Sequence, residues 1–445
     1  MRRILLSLLL ISGPAIGQEV QLETTANETR AIEAWVDSHL EEVVETYKHL
    51  HANPELSFQE LKTSAFVAKS LEAAGFEVTS GVGRTGVVGV LKNGAGPTVL
   101  IRGDMDALPV LEQTGLPYAS KVQVKKADGT TVGVMQACGH DVHTTMVVSM
   151  GQLLADLREN WKGTVVMIAQ PAEEIGMGSR EMIADGLFDL IPKPDFCLSL
   201  HVIHKLPVGS VGLTSGWAFA NVDSVDVTIY GKGGHGARPN AAIDPIVTAA
   251  HVIVGLQTIV SRRLDPIEPG VITVGSIHGG SKHNIIPAEV KLQLTVRSYT
   301  DEVRAQLLDG IRQVTTDTCK TMLCPKPPLV EVRDEFTPAA YNDPALTAAA
   351  AELFQDLFGK ENVHDMPPTM GGEDFGRFSK QLGVPGLQFR IGAVGLDRWE
   401  AAQKEGVDSL PSLHSPLFYP EPEKTMEVSL VSMANLALGL LNPAR

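Results

Sequence analysis

Three short apolar runs, each leading directly into polar side chains, constrain the fold of this chain more than any other feature. The runs cover residues 98–101, 165–169 and 196–200. Near-continuous apolar strands are typical of parallel sheets whose two faces are covered by helices. Such sheets bind ligands at the carboxyl ends of their strands. The pattern therefore predicts an α/β domain in which the polar residues after the three runs meet at one edge of the sheet.

The remaining periodicity indicates two kinds of domain. From about Asn221 to Arg333, strand and helix signals follow the order β-α-β-β-α-β, which is that of a ferredoxin-like unit. A chain of 445 residues is also too long for one typical core. The predicted fold class is α/β, with a large catalytic domain whose mixed sheet is flanked by helices and an inserted ferredoxin-like α+β domain of the lid or dimerisation type. The predicted boundaries are 25–220 and 334–445 for the two parts of the large domain, and 221–333 for the inserted domain.

The N-terminal residues are typical of a signal peptide. Residues 1–3 carry two arginines, residues 4–11 are apolar apart from Ser7, and residues 13–17 offer small side chains for cleavage before Gln18. The apolar run is too short to span a bilayer, and a retained anchor is the alternative. We predict that residues 1–17 are a signal peptide and that the mature protein is exported, to the periplasm or the medium.

Charge and cysteine content narrow the possible partners. The net charge is −15 and the sequence contains no basic cluster, which argues against nucleic acid or an anionic membrane as the main partner. Four cysteines are few for an exported protein of this size. Cys319 and Cys324 lie at the end of one helical run, where a disulfide and two free thiols are both compatible with the sequence.

Side chains suited to binding a transition metal follow several of the predicted strands. One thiolate, several imidazoles and a carboxylate form a set that suits zinc and its neighbours. Glu173 and Glu174 are adjacent, so one of them can bind a metal while the other stays free as a base. A solvated helix start is the alternative for this pair. The candidate metal-site residues are Cys138, His140, Glu173, Glu174, His201 and His414.

A second group of residues is predicted to support the site. Asp104 and Asp106 end a strand, where they either cap a turn or orient a ligand histidine. In the inserted domain, His235 lies on a glycine-rich turn, Asn284 on a second loop, and Arg297 at a strand end. Together these three could hydrogen-bond to a carbonyl oxygen or a carboxylate, as an oxyanion site requires.

Motifs along nearly the whole mature chain resemble one metallohydrolase family. The matching strings occupy residues 51–60, 102–109, 137–143, 170–174, 233–235, 371–375 and 413–416. On these strings the chain is similar to the aminoacylase and carboxypeptidase G-like co-catalytic metallopeptidases, and most of all to the branch of hippurate hydrolases, N-acyl-amino-acid amidohydrolases and auxin-conjugate hydrolases. Asn240 departs from this branch, which usually has His at that position.

The resemblance implies a dinuclear centre and a reaction. It implies two divalent metal ions per chain, zinc or manganese, bridged by Cys138, with His140 and His201 at one ion and Glu174 and His414 at the other. Glu173 would be the general base and His235 would help to hold the oxyanion when the lid closes. The implied activity is hydrolysis of the amide bond of N-acyl amino acids by a metal-activated water.

Two other functions remain open from the sequence. The alternatives are an exported dipeptidase or carboxypeptidase with the same centre, and a metal-stabilised protein that binds acylated amino acids. An intact Glu173 argues against pure binding, which needs no base. The expected partner is a small N-acyl amino acid or short peptide, with no nucleic acid and no membrane span after signal cleavage. A homodimer could form through a strand edge of the inserted domain.

Overall fold

The structure is a computed structural model that describes residues 22, 24–126 and 128–442. The predicted signal peptide, residues 1–17, lies outside the described residues. The helices are α1 (Ala26–Ala52), α2 (Leu61–Ala73), α3 (His140–Asp156), α4 (Gly178–Ala184), α5 (Leu187–Leu190), α6 (Pro245–Arg262), α7 (Asp301–Thr321), α8 (Pro344–Phe358), α9 (Gly376–Leu382), α10 (Leu396–Glu405) and α11 (Pro422–Leu441).

The strands follow the same alternating order along the chain. They are β1 (Glu77–Val82), β2 (Gly86–Asn93), β3 (Thr98–Asp104), β4 (Gln123–Lys125), β5 (Thr131–Gly133), β6 (Gly163–Gln170), β7 (Phe196–Pro207), β8 (Val211–Leu213), β9 (Gly216–Phe219), β10 (Asn221–Tyr230), β11 (Gly234–His235), β12 (Gly270–His278), β13 (Ile285–Ile286), β14 (Glu289–Ser298), β15 (Leu329–Val332), β16 (Ala340–Asn342), β17 (Val363–Asp365) and β18 (Gly386–Val394).

The main sheet has eight strands in the order β1-β2-β6-β3-β7-β18-β8-β17. Its central strands β6, β3, β7 and β18 run parallel, while β1, β2 and β8 pair antiparallel with neighbours, so the sheet is mixed. Apolar side chains of α1, α2, α3, α8 and α11 cover one face, and those of α4, α5 and α9 cover the other. The predicted α/β class with a mixed sheet flanked by helices is confirmed.

The region between β10 and β15 has a separate sheet and its own core. Four strands pair in the order β12-β14-β10-β15, all antiparallel, and buried side chains of α6 and α7 pack on them. Among the described residues, α6 is the one helix long and apolar enough to cross a membrane by length and composition. A third of that stretch is buried, with Val252 and Leu256 facing the sheet.

The parallel centre of the main sheet decides where polar side chains gather. β3, β6 and β7 point the same way, so the residues after β3 and β6 meet at one edge with His201 of β7. The N-terminus of α3 faces the same edge. Helix α3 begins at His140, and the buried polar residues of its first turn interrupt the apolar periodicity from which a helix start is predicted.

Candidate metal centre

Cys138 and His140 flank the N-terminus of α3. Gly139 between them has φ of +80°, a left-handed conformation that glycine adopts without strain. A Cβ atom at this position would lie 2.3 Å from Val202 Cγ2 of β7. The turn ends at Gly139, and His140 is the first residue of the helix. The glycine brings the helix end against the sheet with both donors facing the same edge.

The donor atoms form two groups that share the Cys138 thiol. The Sγ atom of Cys138 lies 3.6 Å from Nε2 of His201. Nε2 of His414 lies 3.5 Å from Oε2 of Glu174. One group is Cys138 with His140 and His201, and the other is Cys138 with Glu174 and His414. Within each group the ligand atoms all lie within 4.8 Å of one another.

Buried polar atoms in these groups lack hydrogen-bond partners. Nε2 of His140 and Oε1 of Glu174 are both buried and unpaired. Burying a polar atom without a partner costs free energy, so a ligand that binds both atoms would stabilise the folded protein. Burial raises the pKa of the Cys138 thiol, and the charge of Glu174 raises it further. A cation between these groups would satisfy both orphaned atoms and stabilise the thiolate, so the residues fit divalent metal ions.

Hydrogen bonds orient the two buried imidazoles. Nδ1 of His140 donates to the carbonyl oxygen of Asp106 at 2.8 Å. Nδ1 of His201 donates to the carbonyl oxygen of Val202 at 2.7 Å. In each ring the other nitrogen, Nε2, is therefore left with its lone pair directed at the centre, as a metal-binding histidine requires.

The carboxylate of Asp106 holds the Glu173–Glu174 turn in place. Its Oδ1 accepts from the backbone N–H of Glu173 at 3.0 Å, and its Oδ2 accepts from that of Glu174 at 3.2 Å. Ser57 Oγ donates to the same carboxylate at 2.6 Å. Ala172, just before the turn, has φ of +49°, a strained value for a residue with a side chain. The Asp106 carboxylate thus fixes the backbone of the turn that carries both glutamates.

Glu173 points to the centre from this turn. Its Oε2 lies 3.9 Å from Nε2 of His140, and Oε1 of Glu174 lies 4.0 Å from the same nitrogen. Burial raises the pKa of Glu173 well above its usual range, and the charges of Glu373 and Glu174 raise it further. A carboxyl group that binds a proton readily, next to a metal-binding cluster, is suited to proton transfer.

Asp104 pairs with His143 and Arg102. Its Oδ1 lies 2.5 Å from Nδ1 of His143, whose Nε2 accepts from the backbone N–H of Val202 at 3.1 Å. Both nitrogens of His143 are therefore engaged by protein partners. The Oδ2 of Asp104 lies 3.6 Å from Nε2 of His140.

Sequence reasoning missed the buried Arg102, which pairs with three acidic side chains beside the centre. Arg102 forms ion pairs with Asp104 at 2.8 Å, Glu373 at 2.9 Å and Asp374 at 3.0 Å. Burial lowers the pKa of Arg102, but the three carboxylates outweigh it and raise the pKa above its ordinary value. The string Gly371-Gly372-Glu373-Asp374-Phe375 was quoted for the family resemblance, and it is the signal from which a role for these two acids could have been sought.

A cavity of about 720 Å³ opens beside the donor groups, and residues of the inserted domain form part of its wall. Arg297 lines it, together with Cys138, Glu173 and His414. His235 and Asn284 do not line it. They lie on an exposed turn, where β11 pairs with β13 and the N–H of Gly236 donates to the carbonyl oxygen of Asn284 at 2.9 Å. The structure thus brings Arg297 to the site and leaves the other two apart from it.

Comparison with known proteins agrees with this arrangement. The model of peptidase family M20/M25/M40 matches residues 100–414. N-acetyl-L-cysteine deacetylase of Bacillus subtilis is 37% identical over 354 residues, covering 79% of this chain and 80% of the relative. Thermostable carboxypeptidase 2 of Saccharolobus solfataricus is 34% identical over 377 residues, covering 83% of this chain and 89% of the relative.

A solved structure extends the similarity to the fold. The crystal structure of a dinuclear metal-binding peptidase of the M20 family from Bacillus subtilis superposes with a TM-score of 0.74. It is 29% identical and the match covers 91% of this chain and 99% of that one. The family resemblance is confirmed: the chain belongs to peptidase family M20/M25/M40, whose members hydrolyse amide bonds with divalent metal ions.

Proposed function

We propose that the protein hydrolyses the amide bond that joins an acyl group to an amino acid. One observation carries the proposal: beyond the two donor groups that share Cys138, Glu173 brings a further carboxylate within 4.8 Å of the ligand atoms of His140 and Glu174. A structural metal site has no need of a free carboxylate. The similarity to an N-acetyl-L-cysteine deacetylase supports a small acylated amino acid as substrate.

The donor set supports two divalent ions per chain, zinc or manganese. His140 and His201 would hold one ion, Glu174 and His414 the other, and the thiolate of Cys138 would bridge them. A thiolate with imidazoles favours zinc, while carboxylate ligands also suit manganese. The bound ions would polarise the amide carbonyl and activate the attacking water.

The chain's own residues then move the proton and hold the substrate. Glu173 accepts the proton that the water releases and returns it to the leaving amine. Burial first, and then the charge of Glu373, raise the pKa of Glu173, which makes its carboxylate a stronger base than an exposed glutamate. Arg297, half-buried in the cavity wall, would bind the α-carboxylate of the amino acid.

His235 would reach a centre in one of two ways. It lies on an exposed turn outside the cavity of its own chain, so either the inserted domain closes over the substrate or a second copy supplies the histidine. Exposed apolar side chains of α6 and β12 support a homodimer through this domain, because Val254 is 70% and Ile277 52% exposed.

Export is proposed from the N-terminal sequence alone. Residues 1–17 carry the pattern of a signal peptide, and they lie outside the described part of the chain. The mature protein would then act in the periplasm or the medium. N-terminal sequencing of the protein from an exported fraction tests this, and a chain that retains residues 1–17 in the membrane would contradict it.

A turnover assay separates the amidohydrolase from the alternatives. Metal-analysed protein is incubated with N-acetyl and N-benzoyl amino acids, with dipeptides and with longer peptides, before and after chelation. We expect release of free amino acid from the acylated substrates, loss of activity with chelator, and recovery on adding zinc or manganese. Faster cleavage of peptides would favour the carboxypeptidase alternative, to which the thermostable carboxypeptidase similarity points. Binding without turnover would indicate a binding protein.

A further inference from the structure

A second buried arginine lies in the cavity wall, and it is held quite differently from Arg102. Arg390 is on β18, directly opposite His201 of β7 in the parallel register. It is 8% exposed and lines the cavity beside the donor groups. Burial lowers its pKa to about 10, so the guanidinium remains charged at neutral pH.

Arg390 has no counter-ion among the described residues. The guanidinium carbon of Arg390 lies over the ring of Phe219, 4.0 Å from the ring centroid. The nearby acid Glu373 is already engaged: Oε1 pairs with Arg102 at 2.9 Å, and Oε2 accepts from Gln388 at 2.7 Å.

The other acids of the cavity are also committed. Glu173 and Glu174 lie next to Nε2 of His140 in the candidate metal centre. Glu335 is exposed and lies next to Arg333. A buried guanidinium without a counter-ion is costly, whereas one that meets a carboxylate gains a bidentate, charge-assisted pair. The missing anion is therefore expected from whatever fills the cavity.

The cavity wall contains two such cations. Arg297 is half-buried and forms no ion pair with the described residues, and burial lowers its pKa. One carboxylate, the α-carboxylate of an amino acid, can satisfy one guanidinium. Two guanidinium groups that come from different strands and line one cavity fit a substrate with two carboxylates.

We propose that Arg390 selects N-acyl amino acids that carry a second carboxylate in addition to the α-carboxylate. This inference rests on the proposed amidohydrolase function. The second carboxylate has two chemical sources, an acidic amino-acid side chain or a dicarboxylic acyl group. Phe219, stacked on the guanidinium, holds it in one orientation and keeps water from one of its faces.

Matched substrate pairs test the proposal. N-acetyl-L-glutamate is compared with N-acetyl-L-glutamine for the side-chain source, and N-succinyl-L-alanine with its succinamoyl analogue for the acyl source. In the wild type, kcat/KM should favour the acid in one pair. Arg390→Gln should lower that acid-to-amide ratio roughly 10- to 100-fold, with little change for the neutral partner. Arg390→Lys should restore part of the ratio, because it keeps the charge.

Controls separate recognition from folding. Arg398→Gln is the matched control, since Arg398 also stacks on an aromatic ring, at 3.8 Å from Tyr419, but lies outside the cavity lining. If Arg390→Gln loses its circular dichroism spectrum, Arg390→Met replaces it and keeps apolar packing on Phe219. An unchanged ratio in a folded variant overturns the proposal, and so does an equal loss for acid and amide.

A binding measurement keeps this test independent of turnover. Calorimetry compares glutarate with its mono-amide on the wild type and on Arg390→Gln, both loaded with metal. If the wild type hydrolyses no acylated amino acid, the proposed function fails, but weaker glutarate binding by the variant still supports Arg390 as the dicarboxylate contact. Equal glutarate affinity in both proteins overturns it.

Discussion

The donor side chains at the edge of the main sheet and the polar residues of the inserted domain are held in opposite ways. His140 and His201 are buried, and each is fixed by a hydrogen bond to a backbone carbonyl. His235 lies on an exposed turn of a two-strand ladder, where its Nδ1 accepts from the N–H of Ala237 at 3.0 Å. The sheet therefore holds its donors in place before any ligand binds, while the turn gains its role only when another surface arrives.

The largest expected effect is that of Cys138→Ser on metal content. The thiol belongs to both donor groups, and a hard hydroxyl is a poor substitute for a soft thiolate. Both metal ions should be lost together, and activity with them. Elemental analysis after dialysis measures this. Full retention of one ion would mean that Cys138 serves a single position.

Replacing Glu173 by Gln should remove turnover and spare the metal. Loss of a general base costs roughly 10²–10⁴-fold in rate. Glu173 groups with His140 and Glu174, but the two donor groups that share Cys138 are complete without it. The measurement is kcat on an acylated amino acid together with metal analysis of the same sample. Metal lost in parallel with activity would instead make Glu173 a ligand.

His235→Ala should reduce turnover with metal content unchanged. Loss of an oxyanion donor costs roughly 2.7–4 kcal/mol of barrier, and the effect should fall mainly on kcat. Mixing this variant with Glu173→Ala should recover activity if a second copy supplies the histidine and the subunits exchange. Unchanged turnover in His235→Ala would make the turn irrelevant to the chemistry and leave the domain as a spacer or dimer contact.

His51 of α1 and its two acidic partners should make stability depend on pH. Burial lowers the pKa of His51, but hydrogen bonds with Asp141 at 2.6 Å and Glu112 at 3.1 Å outweigh it and raise the pKa to about 9. A folded-state pKa above the unfolded value of about 6.5 contributes stability that is complete below pH ~6.5 and lost as the pH rises towards ~9, up to about 3 kcal/mol.

Urea unfolding between these pH values measures the dependence. His51→Phe should flatten it, while His49→Asn should not, because His49 is exposed on the same helix. A wild-type free energy of unfolding that stays constant across the range would show that His51 is not charged in the folded protein.

The smallest effect is expected from Asp106→Asn. An amide oxygen can accept from one of the N–H groups of Glu173 and Glu174, but its NH₂ cannot accept from the other. Supporting groups of this kind typically contribute 10- to 100-fold, which here is expected in metal affinity. Titration with a competing chelator measures it. A loss as large as that of Cys138→Ser would indicate that Asp106 binds metal directly.

Sequence reasoning predicted the elements that have local patterns and missed those that lack them. The donors follow apolar strands or a glycine turn, so their positions were readable. Helix α11 was not predicted, because it is buried on almost all sides and has no polar face to give a 3.6-residue period. Strand β18 was missed because Gln388 and Arg390 interrupt its apolar run.

Contacts between side chains that are far apart in the chain could not be predicted from the sequence either. Arg102 meets Glu373 and Asp374 some 270 residues later, and no spacing rule links them. The exposure of His235 depends on how the inserted domain lies beside the large one, which local periodicity does not encode. The roles assigned to individual site residues stay predictions until the variants are measured.

The position of the inserted domain in the chain has a consequence for synthesis. When the part of the chain up to the end of β15 has been synthesised, Cys138, His140 and His201 are present, but His414 is not. At that stage Arg102 also lacks two of its three acidic partners. A nascent chain can therefore offer one donor group to a metal, and the second becomes available only near completion. Occupancy of both positions is thus a marker of a fully synthesised, folded chain.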